Sequence, residues 1–170
     1  MPTYVINPNR DIIIQKWGYA IEDGAGQGKR VMDDVERMFA GSDIPGIRCG
    51  QIELPLGGIF ARKREFLSVA LQSLKEYRMY IGAHDFGRHL EVSWFLTVSP
   101  GFMKRSLSKR AYGRPEVMSQ LIPIFDQMDL SVWINISEAY VGKAVEAVLQ
   151  ELKQDTSGLN TKSKGFLDAW

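Results

Sequence analysis

The chain has 170 residues, of which 45% are hydrophobic and 24% charged, and its formal net charge is +1. This composition is typical of one globular domain with a substantial core, and the near-neutral charge excludes a generic DNA-binding protein. A single cysteine excludes an intramolecular disulfide framework, and no apolar run approaches the roughly 18 residues of a membrane span. The first residues lack the pattern of a signal peptide, so we expect a cytoplasmic location.

The first third of the chain alternates between extended and helical patterns. Residues 11–20 predict a strand, residues 22–29 form a glycine-rich loop, and residues 30–40 carry apolar side chains at helical spacing. Residues 48–60 look extended, but Pro55 and two glycines interrupt them. Such an interruption indicates an edge strand or a bulge.

Residues 64–71 predict a further strand, although residues 65–77 could also form a short helix. Residues 77–98 then predict one long β-hairpin, because two apolar-rich runs flank a short break that contains Asp85 and Gly87. The connections between these extended segments are too short for crossovers. The sheet is therefore expected to be largely antiparallel.

Alternation within the hairpin predicts its register. A tip formed by Phe86 and Gly87, or a four-residue loop over residues 85–88, gives one pairing that separates an apolar face from a mostly polar one. The predicted apolar face carries Tyr77, Met79, Ile81, Ala83, Leu90, Val92, Trp94 and Leu96. In this pairing His84 lies directly across from His89 on the polar face, with Asp85 across from Arg88.

The two histidines suggest a metal site. His84, His89 and the diagonal Glu91 are two imidazoles and a carboxylate, which are ligands that zinc and other divalent ions accept. The alternatives are two solvated histidines, or a pH-sensitive pair of imidazoles that resists joint protonation. No cofactor is expected from any other motif.

The C-terminal half is predicted to be helical. We expect helices over residues 102–111 and 116–128, and one long helix over residues 130–152, although residues 130–137 also fit a strand. The predicted fold is an α+β domain over residues 1–153, with an antiparallel sheet of about four to six strands covered on one face by the C-terminal helices. The core is expected to bring together Met79, Ile81, Val92, Trp94 and Leu96 with Leu121, Phe125, Val141, Val145 and Val148.

The glycine-rich loop suggests a phosphate site. It lies between a predicted strand and a predicted helix, where Gly24, Gly26, Gly28 and Lys29 could bind phosphate through backbone N–H groups. The P-loop pattern is not met, since only three residues separate Gly24 from Gly28 and Arg30 follows the lysine. A surface loop without a ligand is the alternative.

Residues 101–114 concentrate positive charge. The segment contains five basic residues and no acid, beside a narrow apolar side on a predicted helix; the bases are Lys104, Arg105, Lys109, Arg110 and Arg114. Such a helix can bind an acidic protein, an anionic lipid surface or phosphate groups. Nucleic acid is not favoured, because no recognition motif accompanies the segment. A solvated helix face is the alternative.

Residues 154–170 predict a polar linker that ends in an aromatic peptide. Phe166, Leu167 and Trp170 are large apolar residues at a position where tails are normally polar. They could fold back onto their own domain or dock into a partner, since aromatic side chains are favoured anchors in interfaces.

Three functions are consistent with these observations. No catalytic arrangement of residues is evident, so the leading hypothesis is a non-enzymatic interaction module, a subunit or adaptor of a larger assembly or a homo-oligomer. It would dock through the aromatic tail and the basic helix. The first alternative is a domain that binds a small ligand or a lipid between sheet and helices. The second is a metal-dependent enzyme that uses His84, His89 and Glu91.

Overall fold

Six strands in the described part of the chain form one antiparallel sheet. The computed structural model describes residues 12–55, 63–99 and 122–165. The strands are β1 (Ile12–Ile21), β2 (Ile47–Pro55), β3 (Lys63–Leu71), β4 (Tyr77–Phe86), β5 (His89–Val98) and β6 (Lys164–Gly165). Their order across the sheet is β2-β3-β4-β5-β1-β6. Together with the helices α1 (Gly28–Ala40) and α2 (Ile124–Glu151), this sheet confirms the predicted α+β class.

Apolar side chains of both helices and of one sheet face meet in a single core. The helices contribute Val31, Val35, Phe39, Trp133, Val141, Val145 and Val148, and the hairpin contributes Met79, Ile81, Val92, Trp94 and Leu96. The predicted packing of the hairpin against the C-terminal helix is therefore confirmed for these residues. Because side chains alternate along a strand, the opposite sheet face carries other residues, including a smaller buried cluster of Leu54, Phe66 and Tyr80.

The hairpin has the predicted faces but a different register. Phe86 pairs with His89 and His84 pairs with Glu91, so the two-residue tip consists of Gly87 and Arg88. Gly87 has a φ of 61°, and glycine is the residue preferred at the first central position of a tight hairpin turn. The prediction that His84 faces His89 is wrong, as is the predicted pairing of Asp85 with Arg88.

The remaining predicted elements agree with the structure except in two places. Residues 64–71 lie in a strand, so the helical alternative over residues 65–77 is wrong, and β2 is an edge strand as expected. Residues 124–128, predicted to end a separate helix, belong to α2, which also includes residues 130–137 as a continuous helix. The predicted helix over residues 102–111 lies outside the described residues. Neither helix is long and apolar enough to cross a membrane.

The segment after α2 returns to the first strand. The indole N–H of Trp17 donates to the Asn160 carbonyl at 2.7 Å, and the Gln15 side-chain amide donates to the Ser163 hydroxyl at 2.7 Å. Ser163 N–H in turn donates to the buried Glu138 carboxylate at 2.7 Å. These bonds bring β6 alongside β1. The first part of the predicted polar linker is thus attached to its own domain.

Candidate functional site

Two surface features could bind another molecule: an exposed apolar surface at the beginning of α2, and a cleft at the beginning of α1. The first consists of Ile124, Phe125, Met128 and Val132, which are 63%, 77%, 61% and 59% exposed. We call these four residues the α2 apolar surface. Residues three, four and seven positions apart share one side of a helix, so Phe125, Met128 and Val132 form a continuous stripe.

The α2 apolar surface arises because this helix is apolar on two sides. Leu130, Trp133 and Ile134 face the core and are nearly inaccessible to solvent. The prediction that Phe125 belongs to the core is wrong, because its side chain is 77% exposed. Leu121, predicted beside it, lies outside the described residues. A surface helix of a globular protein normally has a polar outer side, so this exposed apolar side is a candidate binding surface.

Acidic residues accompany the α2 apolar surface. Asp126 and Asp129 lie in the same two turns of the helix, and no lysine or arginine occurs from residue 122 to residue 142. Partial burial raises the pKa of the Asp126 carboxyl, and the neighbouring charge of Asp129 adds to this shift. Because this stretch contains acids and no lysine or arginine, the surroundings of the apolar stripe are acidic.

The cleft begins where β3 and β4 separate. Their ladder contains Leu67–Ile81, Ser68–Tyr80 and Val69–Met79, and among the described residues it does not extend beyond Leu67–Ile81. By contrast, the β2–β3 ladder continues to Lys63 and the β4–β5 ladder continues to Phe86. The sheet consequently divides into an arm of β2 and β3 and an arm of β4, β5 and β1. We call this division the β3–β4 fork.

The glycine-rich loop and the start of α1 close one side of the fork. Gly26 N–H donates to the Asp85 carboxylate at 3.0 Å, and Ala25 N–H donates to the Arg88 carbonyl at 3.2 Å. Gly28 lies so close to β4 that a Cβ at this position would be 2.6 Å from the Ala83 carbonyl oxygen. Only glycine allows this approach of helix and strand, which explains part of the loop composition.

The resulting cleft has a volume of about 330 Å³ and a mixed polar lining. This volume lies within the range of small-molecule sites. Its lining comprises Gly26, Gly28, Lys29, Met32, Lys63, Arg64, Glu65, Ala83, His84 and Asp85. Three of the predicted phosphate-binding residues and one predicted metal ligand are therefore brought together, although they are distant in the sequence.

The basic side chains of the cleft differ in their pairing. Lys29 Nζ lies 2.8 Å from Asp33, whose hydrogen bond and charge raise the pKa of the lysine. Lys63 Nζ lies 3.4 Å from Glu53. Arg64 forms no ion pair with any residue that the structure describes.

His84 forms one wall of the cleft. Its ring packs edge-on against Phe66, with ring centroids 5.0 Å apart, and its Nε2 atom is buried without a hydrogen-bond partner among the described residues. Burial lowers the pKa of the imidazole, and the positive charge of Arg64 lowers it further, against an opposing contribution from Glu91. His84 is therefore a neutral side chain at physiological pH.

The predicted metal ligands do not form a cluster. Because of the register, His84 is directly across from Glu91, while His89 is paired with Phe86 at the tip. Within residues 12–55, 63–99 and 122–165, no group of three or more histidine, cysteine or acidic side chains could hold a metal ion. Gly24, predicted as part of a phosphate site, instead packs near Ile21 and Leu90.

The predicted partner-binding residues are outside the described part of the chain. This applies to Lys104, Arg105, Lys109 and Arg110 and to Phe166, Leu167 and Trp170. In the sequence, neither the α2 apolar surface nor Arg64 was identified as a candidate. The exposed stripe could have been found from the sequence, since apolar residues occur on two sides of the helix that became α2. Nothing in the sequence indicates whether Arg64 forms an ion pair.

Comparisons with known proteins do not identify the site, so its interpretation depends on its geometry. No family model, curated protein or solved structure matches the chain.

Proposed function

We propose that the protein is a non-enzymatic interaction module that binds a basic amphipathic helix of a partner on its α2 apolar surface. The observation that carries this proposal is the exposure of four large apolar side chains on a helix whose other side is already buried. Together they present roughly 400–500 Å² of apolar area, comparable to the largest functional patches on monomeric proteins.

The shape of the surface favours a helical ligand. Phe125, Met128 and Val132 follow one side of α2 over about two turns. An amphipathic helix can place its own apolar side along such a stripe, with anchors at intervals of three and four residues. Phe125 is the expected main anchor, because aromatic side chains contribute disproportionately to interface energies.

The charges favour a basic partner over a second copy of this chain. If two copies packed their stripes antiparallel, Asp129 of each would approach Asp126 of the other. Like charges at an interface oppose association, whereas lysine or arginine residues beside the apolar side of a partner helix would be attracted. The sequence prediction of docking through Lys104, Arg105, Lys109 and Arg110 and through the aromatic tail remains a separate proposal.

A defined peptide tests the proposal. A fluorescein-labelled peptide with the sequence of residues 101–114 has the expected chemistry, with five bases beside a narrow apolar side. We expect it to bind the full-length protein, more weakly as salt is added. Phe125→Ser should weaken this binding at least about tenfold. Phe86→Ser is the matched control, since Phe86 is 73% exposed at the hairpin tip.

The outcomes separate the partner classes. Equal binding by the Phe125→Ser and Phe86→Ser variants, or no binding by the wild type, would contradict the proposed surface. Sedimentation of the wild type as a dimer, with Phe125→Ser as a monomer, would assign the surface to a second copy instead. A peptide with its five bases changed to glutamate should not bind, because the charges around α2 would then repel it.

A further inference from the structure

The β3–β4 fork leaves two facing strand edges without ladder partners among the described residues. Residues 63–66 of β3 pair with β2 on one side, and residues 82–86 of β4 pair with β5 on one side. Their other sides face the cleft. Backbone N–H and C=O groups require hydrogen-bond partners, so this gap has polar groups available to a ligand.

Positive charge converges on the same gap from separate segments. Lys29 comes from α1, and Lys63 and Arg64 come from β3. Two acids, Glu65 and Asp85, also line the cleft. Asp85 already accepts the Gly26 N–H, whereas Arg64 has no acidic partner in the described part of the chain.

The glycine-rich loop leaves room for an approaching anion. A Cβ at Gly26 would meet nothing within 4 Å, and α1 begins at the cleft without a side-chain cap on its first N–H groups. His84 also lines the cleft, with its Nε2 atom buried beside Gly82. None of these features alone forms a site, but together they surround one cavity of about 330 Å³.

We propose that the cleft at the β3–β4 fork binds the phosphate group of a small phosphorylated ligand, with Arg64 as its principal charged contact. Arginine suits this role because its planar guanidinium donates two parallel hydrogen bonds to phosphate oxygens. Lys29 and Lys63 would supply additional charge. The proposal does not depend on the α2 apolar surface, which other residues form.

The test uses the full-length protein with inorganic phosphate and pyrophosphate as probes. Calorimetry and amide chemical shifts should show saturable binding, with the shifts concentrated at Gly26, Gly28 and Lys29. Arg64→Gln should weaken binding at least about tenfold, since a charge-assisted hydrogen bond is lost. Arg48→Gln is the matched control, because Arg48 is an exposed arginine on the edge strand β2.

Several results would overturn the proposal. They are the absence of saturable shifts with either probe, equal weakening by Arg64→Gln and Arg48→Gln, or shifts confined to residues outside the cleft. Equal competition by acetate would show that the cleft recognises carboxylates rather than phosphate. Far-UV circular dichroism of both variants establishes that they remain folded, which is expected because Arg64 is exposed.

Discussion

Removal of the Glu138 side chain should release the C-terminal segment from α2. Glu138 is only 6% exposed, and its carboxylate accepts the Ser163 N–H at 2.7 Å. The ion pair with Lys162 contributes little, because the lysine side chain is 75% exposed. A hydrogen bond to a charged group contributes about 1.5–3 kcal/mol, so we expect Glu138→Ala to lower the free energy of unfolding by about 2 kcal/mol.

The assay combines urea denaturation with amide hydrogen exchange at Ser163. Glu138→Gln keeps an acceptor oxygen and should cost less than about half as much, because a neutral acceptor forms a weaker bond. Lys162→Ala is the control and should leave both the stability and the exchange rate nearly unchanged. The reasoning is refuted if Glu138→Ala behaves like Lys162→Ala, or if the Ser163 amide exchanges equally fast in all variants.

Three further predictions concern the candidate sites. Phe125→Ala should change the unfolding free energy in urea by less than about 0.5 kcal/mol, because the side chain is mostly exposed; a larger loss would show that Phe125 supports the fold. Gly28→Ala should lower the stability by about 1–3 kcal/mol, measured by thermal melting, because its Cβ would be 2.6 Å from the Ala83 carbonyl oxygen; an unchanged melting temperature would contradict this packing. The folded-state pKa of His84 is below the ordinary value of 6.5, so the unfolded state binds more protons as the pH falls, and stability should decrease below about pH 6.5. Urea midpoints between about pH 7.5 and 5 should show this decrease, and His84→Phe should reduce it.

The sequence predicted the hairpin faces but not their register, for a physical reason. Side chains alternate with a period of two, so moving both strands by one residue each leaves the same residues on each face. Burial therefore cannot distinguish a tip at Phe86 and Gly87 from one at Gly87 and Arg88. The backbone of Phe86 does distinguish them, because both common two-residue hairpin turns require a positive φ at the first central position, which glycine adopts readily and phenylalanine does not.

The candidate sites were only partly predictable. The glycine-rich loop was recognised from its composition, but its approach to His84 depends on where the β3–β4 ladder ends, which no local pattern specifies. Phe125 was assigned to the core because it is large and apolar. Its position on the helix relative to Leu130 and Ile134 would have placed it outside, since these two buried residues lie on the opposite side of α2.

The position of β1 in the sheet also has a consequence for folding. The ladder between β1 and β5 joins Ile12 to Val98 and Ile21 to Leu90, whereas β2 to β5 pair with their sequence neighbours. During synthesis at roughly 5–20 residues per second, β1 would wait several seconds for its partner strand to leave the ribosome. Such distant pairing slows folding and leaves a β-rich segment exposed to aggregation in the meantime. Variants that weaken the β4–β5 hairpin should therefore prolong the interval during which β1 has no partner strand.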